Sequence, residues 1–179
     1  MKTLAFIVIP NTISHPFIQV CHVAKASNCF NNIIIETENI NAKQWVVTNG
    51  FTIVHRPVYD YSRFNYYLKE YPDYDVYVQL STCFPFLCVK TIRDCVGFLK
   101  NSPTIDSVFT AIELQGKFWI TNNPVNYNPY DKEEHTKTVI KEVPALYGVK
   151  RGSLEKYSNK IGVFPLTYII DAKQASEIN

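Results

Sequence analysis

The apolar positions of this chain fall first in an unbroken run and then at helical spacing. LAFIVI (4–9) is continuously apolar, the pattern of a strand covered on both faces. Phe17, Val20, Cys21 and Ala24 follow at i, i+3, i+4 and i+7, which predicts an amphipathic helix opened near Ser14 to Pro16. NIIIE (32–36) predicts a second strand. Asn41 and Gln44 form a capping pair for a short helix through Trp45 and Val47, stopped by Asn49-Gly50. FTIVH (51–55) predicts a third strand, closed by Arg56-Pro57.

The alternation continues. Phe64, Tyr67, Leu68 and Tyr71 repeat the helical spacing, with Asp60 or Ser62 as cap and Tyr71-Pro72 as the stop. DVYVQL (75–80) predicts a fourth strand, and Val89, Ile92, Val96 and Leu99 mark the helix after it. DSVFTAI (106–112) predicts a fifth. Strands and helices alternating at this spacing imply right-handed crossovers and an α/β fold with a mostly parallel, doubly wound sheet. Beyond residue 112 the pattern changes. KFWITNNPVNYN (117–128) predicts a hairpin around Asn122-Asn123-Pro124, with Phe118 and Trp119 suited equally to a subunit contact or to the core. YDKEEHTK (130–137) is loop-like. ALYGV (145–149) returns to strand, Ser153 to Asn159 is a short helix, and VFPLTYII (163–170) is a last strand.

Composition narrows the classes. With 179 residues, 46% of them hydrophobic, the chain suits one well-buried domain, 1–179. Charged residues make up 19% and the formal net charge is +2, without the basic stripe of a nucleic-acid binder. No apolar stretch is long enough to span a bilayer, and the N-terminal apolar run is too brief for a signal peptide. Five cysteines, Cys21, Cys29, Cys83, Cys88 and Cys95, lack paired spacing for zinc, and most are expected to be small buried hydrophobes of a reduced, cytoplasmic protein. His15, His22, His55 and His135 are scattered, and no nucleophile–base set can be argued from them. Asp73 and Asp75 read as solvated loop charges. Glu36 and Glu38 close a parallel strand on the edge where α/β sheets bind ligands, though capping or solvation explains them equally well.

The ordered set DVYVQLSTCFPFLCVKTIRDCVGFL, DSVFTA, FWITNNPVNYNP, ALYGVKRGSLEKY and IGVFPLTYIID, with IIIETENI and GFTIVHRP before it, resembles the acylneuraminate cytidylyltransferases, the CMP-sugar synthetases. The resemblance runs over nearly the whole chain. It implies a nucleotide-diphospho-sugar-transferase-like fold, transfer of CMP from CTP to a sugar acid, Mg²⁺ as the bridging cation, and a homodimer joined through 113–144. It also implies site residues. Pro10 and Asn11 follow the first strand, Glu36 the second, and Ser81, Thr82 and Cys83 stand at the base-binding turn. Lys132 and Glu134 fall on the family's "R-x-Q" stretch and Tyr147 on its returning strand, all at the substrate side. Glu177 and Asn179 stand where "D-I-D" supplies metal ligands.

The departures matter as much. Family members carry an R-x-G-S-K loop after the first strand, whose backbone N–H groups and cations cradle the triphosphate. Here Ile9-Pro10 passes through Asn11, Thr12 and Ile13 to Ser14-His15-Pro16, with no glycine before Gly50 and no lysine or arginine between Lys2 and Lys25. Phe84 stands where a small residue is expected and would fill space a base needs. Lys132 keeps a charge without the arginine fork, and Asn179 offers a neutral oxygen. The family's last carboxylate and helix have no counterpart after Asn179. The chain therefore reads as a divergent, non-catalytic or weakly binding member. A working transferase with a rebuilt phosphate site and a regulatory subunit for an active homologue are the alternatives.

Overall fold

The computed structural model describes residues 1–8, 14–37, 40–54, 63–130 and 136–178, with the side chains of Ile40 and Asn41 outside the description. β1 (Thr3–Val8) is buried from Thr3 through Ile7, as its unbroken apolar run requires. It lies between β2 (Asn32–Glu36) and β4 (Val76–Leu80), parallel to both, and β3 (Thr52–Val54) adds to β2 in the same sense. β8 (Val139–Lys150) runs antiparallel between β4 and β5 (Ser107–Leu114), and β9 (Pro165–Ile169) closes the far edge parallel to β5. The order of this seven-stranded sheet is β3-β2-β1-β4-β8-β5-β9, mostly parallel as its alternating pattern implies.

Helices cover both faces. α1 (His15–Ser27), α2 (Ile40–Thr48) and α4 (Val89–Asn101) pack Phe17, Cys21, Val46, Ile92 and Leu99 onto one face. α3 (Arg63–Glu70) and α5 (Arg151–Tyr157) cover the other with Phe64, Tyr67 and Leu154 against Leu4, Phe6, Ile34 and Tyr77. α1 opens with extended Ser14 and a proline in its first turn, and Asn28 ends it in the left-handed conformation. α2 starts at Ile40, which places Asn41 and Gln44 inside the helix instead of at a cap. Its stop is as expected: Gly50 has φ +75°, and Lys25 Nζ donates to Asn49 O at 2.8 Å across the turn. The expected caps of α3, Asp60 and Ser62, lie outside the described residues.

The second half differs in detail from the periodicity. β8 is twelve residues long, not five, because its polar first half pairs with the end of β5 across a bulge between Phe109 and Ala111. Thr110 holds that bulge: its hydroxyl donates to Val143 O at 2.6 Å and accepts from Leu146 N at 3.0 Å. α5 follows β8 directly and ends at Tyr157, before left-handed Ser158, two residues earlier than its pattern suggests. β6 (Trp119–Ile120) and β7 (Asn123–Pro124) form the expected hairpin, with Trp119 and Ile120 exposed and Phe118 half-buried. Cys21 and Cys95 are buried and their thiols pushed well up by burial. Cys29 and Cys88 are half-buried and Cys83 is exposed, so fewer thiols are core residues than the sequence suggests. Among the described residues no helix is long and apolar enough to cross a membrane.

Candidate functional site

In a parallel sheet the connections leaving the carboxyl ends of the strands gather on one edge, where ligands bind α/β folds. Here that edge carries the end of β1 at Val8, the end of β2 at Glu36, the turn 81–88 after β4, and the segment 170–178 after β9. Pro10 and Asn11, which follow β1 in sequence, lie outside the described residues, as do Lys132, Glu134 and Asn179.

The turn after β4 is built from its own polar groups. Ser81 N donates to Ala145 O at 3.0 Å, anchoring the turn to β8. Ser81 Oγ accepts from Cys83 N at 3.3 Å, and Thr82 Oγ1 reaches Val8 O at 3.4 Å, linking the turn to the end of β1. Thr82 is buried and Cys83 exposed. Phe84 is buried in the core with Leu87, so its ring packs inward instead of standing in the open edge as its bulk suggests. α4 then starts behind Cys88, whose sulfur accepts from Thr91 N.

Onto this turn folds the segment after β9. Asp171 Oδ1 accepts from Gln174 N at 2.9 Å and Asp171 Oδ2 from Gln174 Nε2 at 2.8 Å. These two bonds hold the Asp171 carboxyl below the usual carboxylate range. Gln174 Oε1 accepts from Cys88 N at 3.1 Å and from Thr91 Oγ1 at 2.7 Å. Ile178 N donates to Cys83 O at 2.9 Å. The structure therefore brings Ser81, Thr82 and Cys83 together with the stretch that carries exposed Glu177.

Glu36 and Tyr147 belong to the opposite face. Glu36 is buried beside α3, accepting from Tyr67 Oη at 3.1 Å and lying 3.4 Å from Arg63 Nε. Tyr147 is buried in the core under α3 and α5, and its hydroxyl donates to Glu142. Burial first, and then that carboxylate, push the phenol well up. Lys160 Nζ lies 3.5 Å above the Tyr147 ring and 3.9 Å from Glu142 Oε1. Burial holds the Lys160 ammonium below the usual lysine range, with Glu142 opposing it. Sequence reasoning missed Lys160, Glu142 and Gln174. For Gln174 a signal existed, since Asp171-Ala172-Lys173-Gln174 has the spacing of a capping box.

A separate cavity of about 430 Å³ lies along α4, lined by Arg93, Asp94, Gly97, Phe98, Asn101 and Ser102. Its charged groups are already paired. Arg93 donates to Ser27 O and Ala26 O at the end of α1, and Asp94 accepts from Lys90 and Tyr168. Among the described residues no three His, Cys, Asp or Glu side chains gather to hold a metal. Of the residues that the resemblance assigns to a metal, Glu177 alone is described, and it stands as a single exposed carboxylate.

No family model and no curated protein matches the sequence. Solved structures match the fold. CMP:2-keto-3-deoxy-manno-octonic acid synthetase complexed with CTP superposes with a TM-score of 0.67 at 13% identity, covering 95% of this chain and 91% of that one. The 4-diphosphocytidyl-2C-methyl-D-erythritol synthase of Anaerococcus prevotii DSM 20548 gives 0.65 at 11% identity, covering 97% and 90%. Another structure of a 4-diphosphocytidyl-2C-methyl-D-erythritol synthase gives 0.67 at 11%, covering 97% and 91%. The chain thus has the nucleotide-diphospho-sugar transferase fold, an α/β fold with a mostly parallel seven-stranded sheet.

Proposed function

We propose that this chain is a divergent, cytidylyltransferase-like protein of the CMP-sugar synthetase type, folded as one domain over 1–179, that binds CTP or a sugar acid weakly and does not turn them over. One observation carries this reading. The β1–α1 connection, residues 9–14, has the sequence IPNTIS and offers no glycine, lysine or arginine to a triphosphate. Electrostatic stabilisation is usually the largest catalytic contribution, and one preorganised donor is worth roughly 2.7–4 kcal/mol. A site without several such donors and their cation loses many orders of magnitude in rate. The solved structures of similar fold, one of them complexed with CTP, support a nucleotide as the ligand.

The bond from Ile178 N to Cys83 O, which lays the segment carrying Glu177 along the 81–83 turn, favours a second reading, an active cytidylyltransferase with a rebuilt phosphate site. Lys132 would then hold phosphate, Glu177 with Asn179 would hold Mg²⁺, and the 81–86 turn the base. Exposed Trp119, Ile120, Val125 and Tyr130 support a homodimer through 113–144, or pairing of this chain as a regulatory subunit with an active homologue. Calorimetric titration with CTP and Mg²⁺, beside a pyrophosphate-release assay on sugar acids, separates these readings. Binding without release supports the first, and release supports the second. Neither heat nor release, with pairing to a homologue, supports the regulatory role.

A further inference from the structure

β9 closes one edge of the sheet, and among the described residues no strand pairs with its outer side. Its register with β5 runs unbroken from Ser107 opposite Pro165 to Ala111 opposite Ile169. Just past the strand, Ile170 N donates inward to Ala111 O at 2.9 Å. Backbone polar groups alternate sides along a strand, so the N–H and C=O of Ile169 and Thr167 turn outward, away from β5.

Sheet edges are ordinarily guarded by charges, prolines or bulges, because a row of open N–H and C=O groups is a template for another strand. This edge has one guard, Pro165 at its start, which lacks an N–H. From Gly162 through Ile170 the sequence GVFPLTYII carries no charge. Val163, Phe164 and Ile169 are exposed. On the α4 side, Tyr168 donates its hydroxyl to Asp94 at 2.6 Å, and its ring lies 6.5 Å from that of exposed Phe98. Apolar surface thus borders the open backbone on both sides.

We propose that β9 pairs antiparallel with β9 of a second copy of this chain, about a two-fold axis at Tyr168. Thr167 of each copy then stands opposite Ile169 of the other, and each such pair exchanges both hydrogen bonds. The two Tyr168 residues form the close, non-hydrogen-bonded pair between them. Two features of the edge select a second copy. The outward groups lie symmetrically about Tyr168, so one two-fold axis satisfies every N–H and C=O of Thr167 and Ile169, with Pro165 outside that ladder. An uncharged strand also sets no like charges against itself, whereas a charged partner would find no ion pair along it. The contact uses no residue of 113–144 and needs no ligand.

Amide exchange and sedimentation of the full chain test the pairing. Exchange at Thr167 N and Ile169 N should slow by about tenfold as the protein is concentrated about a hundredfold, in step with a doubling of the sedimenting mass. Exchange at Ile170 N, bonded within the chain, should stay constant. Ile169→Lys places a charge on the edge, and Thr167→Pro removes one outward N–H. Each should abolish the mass doubling and the slowing at the remaining outward amide, and Ile169→Lys should melt like dilute wild type. Trp119→Ser with Ile120→Asn, in the excursion, should leave the slowing at Thr167 and Ile169 intact. Fast exchange at both amides at every concentration overturns the pairing. Slow exchange at every concentration with the mass of one copy also overturns it, since the same chain would then cover the edge. Slowing that persists in Ile169→Lys overturns it as well.

Discussion

Tyr67 donates its hydroxyl to the carboxylate of Glu36 at 3.1 Å, tying α3 to the carboxyl end of β2. Arg63, one turn earlier on α3, lies 3.4 Å from the other oxygen. A buried carboxylate with such partners anchors a helix. Removing a donor leaves a buried charge short of a partner. Tyr67→Phe, which keeps the ring stacked on Phe6 at a centroid distance of 4.4 Å, should cost about 1.5–3 kcal/mol in urea unfolding. A cost within error of zero would show that the hydroxyl is dispensable to the anchor.

Gly148 sits in β8 beneath Leu99 of α4. A Cβ there would meet Leu99 Cδ1 at 2.7 Å and Val108 Cγ1 at 3.0 Å. Both neighbours are fully buried, so overpacking by one methyl should cost about 1–3 kcal/mol. Gly148→Ala is therefore expected to lower the melting temperature by roughly 2–4 °C per kcal/mol. An unchanged melting temperature would mean that α4 rides further from β8.

Asp106 ties the start of β5 to the return loop before β9. It accepts from Val163 N at 2.8 Å and Ser107 Oγ at 3.0 Å, and Gly162 approaches so closely that an added Cβ would lie 2.4 Å from Oδ1. Burial pushes the Asp106 carboxyl up, but bonds from Phe164, Val163, Ser107 and Ser153 outweigh it and hold the group below the usual range. The unfolded chain then binds the proton more readily than the folded one. The stabilisation is complete above the ordinary aspartate value, about 3.9, and fades as pH falls through the lower folded value. Asp106→Asn should be less stable than wild type at pH 7, and the two should converge as pH drops toward 2. A stability gap independent of pH would contradict the assignment.

The hairpin presents Trp119 at 52% exposure and Ile120 at 67%. If the 113–144 excursion joins two copies, Trp119→Ser with Ile120→Asn should shift sedimentation from dimer to monomer. The melting temperature of the monomer should not change. A wild-type monomer, or a double variant that still dimerises, would remove the excursion from the interface.

Much of this fold is legible in the sequence, because its first half depends on local periodicity. The apolar run LAFIVI, the helical spacing of Phe17 to Ala24, and DVYVQL each match their elements to within a residue or two. What escaped depends on pairing across the chain. The first half of β8 carries exposed Lys141 and Glu142, so nothing local marks it as strand until β5 lies beside it. The antiparallel sense of β8 is likewise set by its neighbours. At the site, the family resemblance pointed to Ser81–Cys83 and Glu177, and the fold brings those segments together. The attachment through Gln174 was hidden because its partners stand on α4. Glu36 and Tyr147 carry the right chemistry for a site, yet each has its polar end held by a neighbour on the α3 and α5 face.

Titration of the purified protein with CTP in the presence of Mg²⁺, alongside pyrophosphate release over a panel of sugar acids, tests the central claim most directly. Weak, Mg²⁺-strengthened binding with no pyrophosphate above the protein-free background is the predicted result. Pyrophosphate released at the rate of an ordinary enzyme, about 1–10³ s⁻¹, would contradict it and show that other groups replace the missing glycine loop.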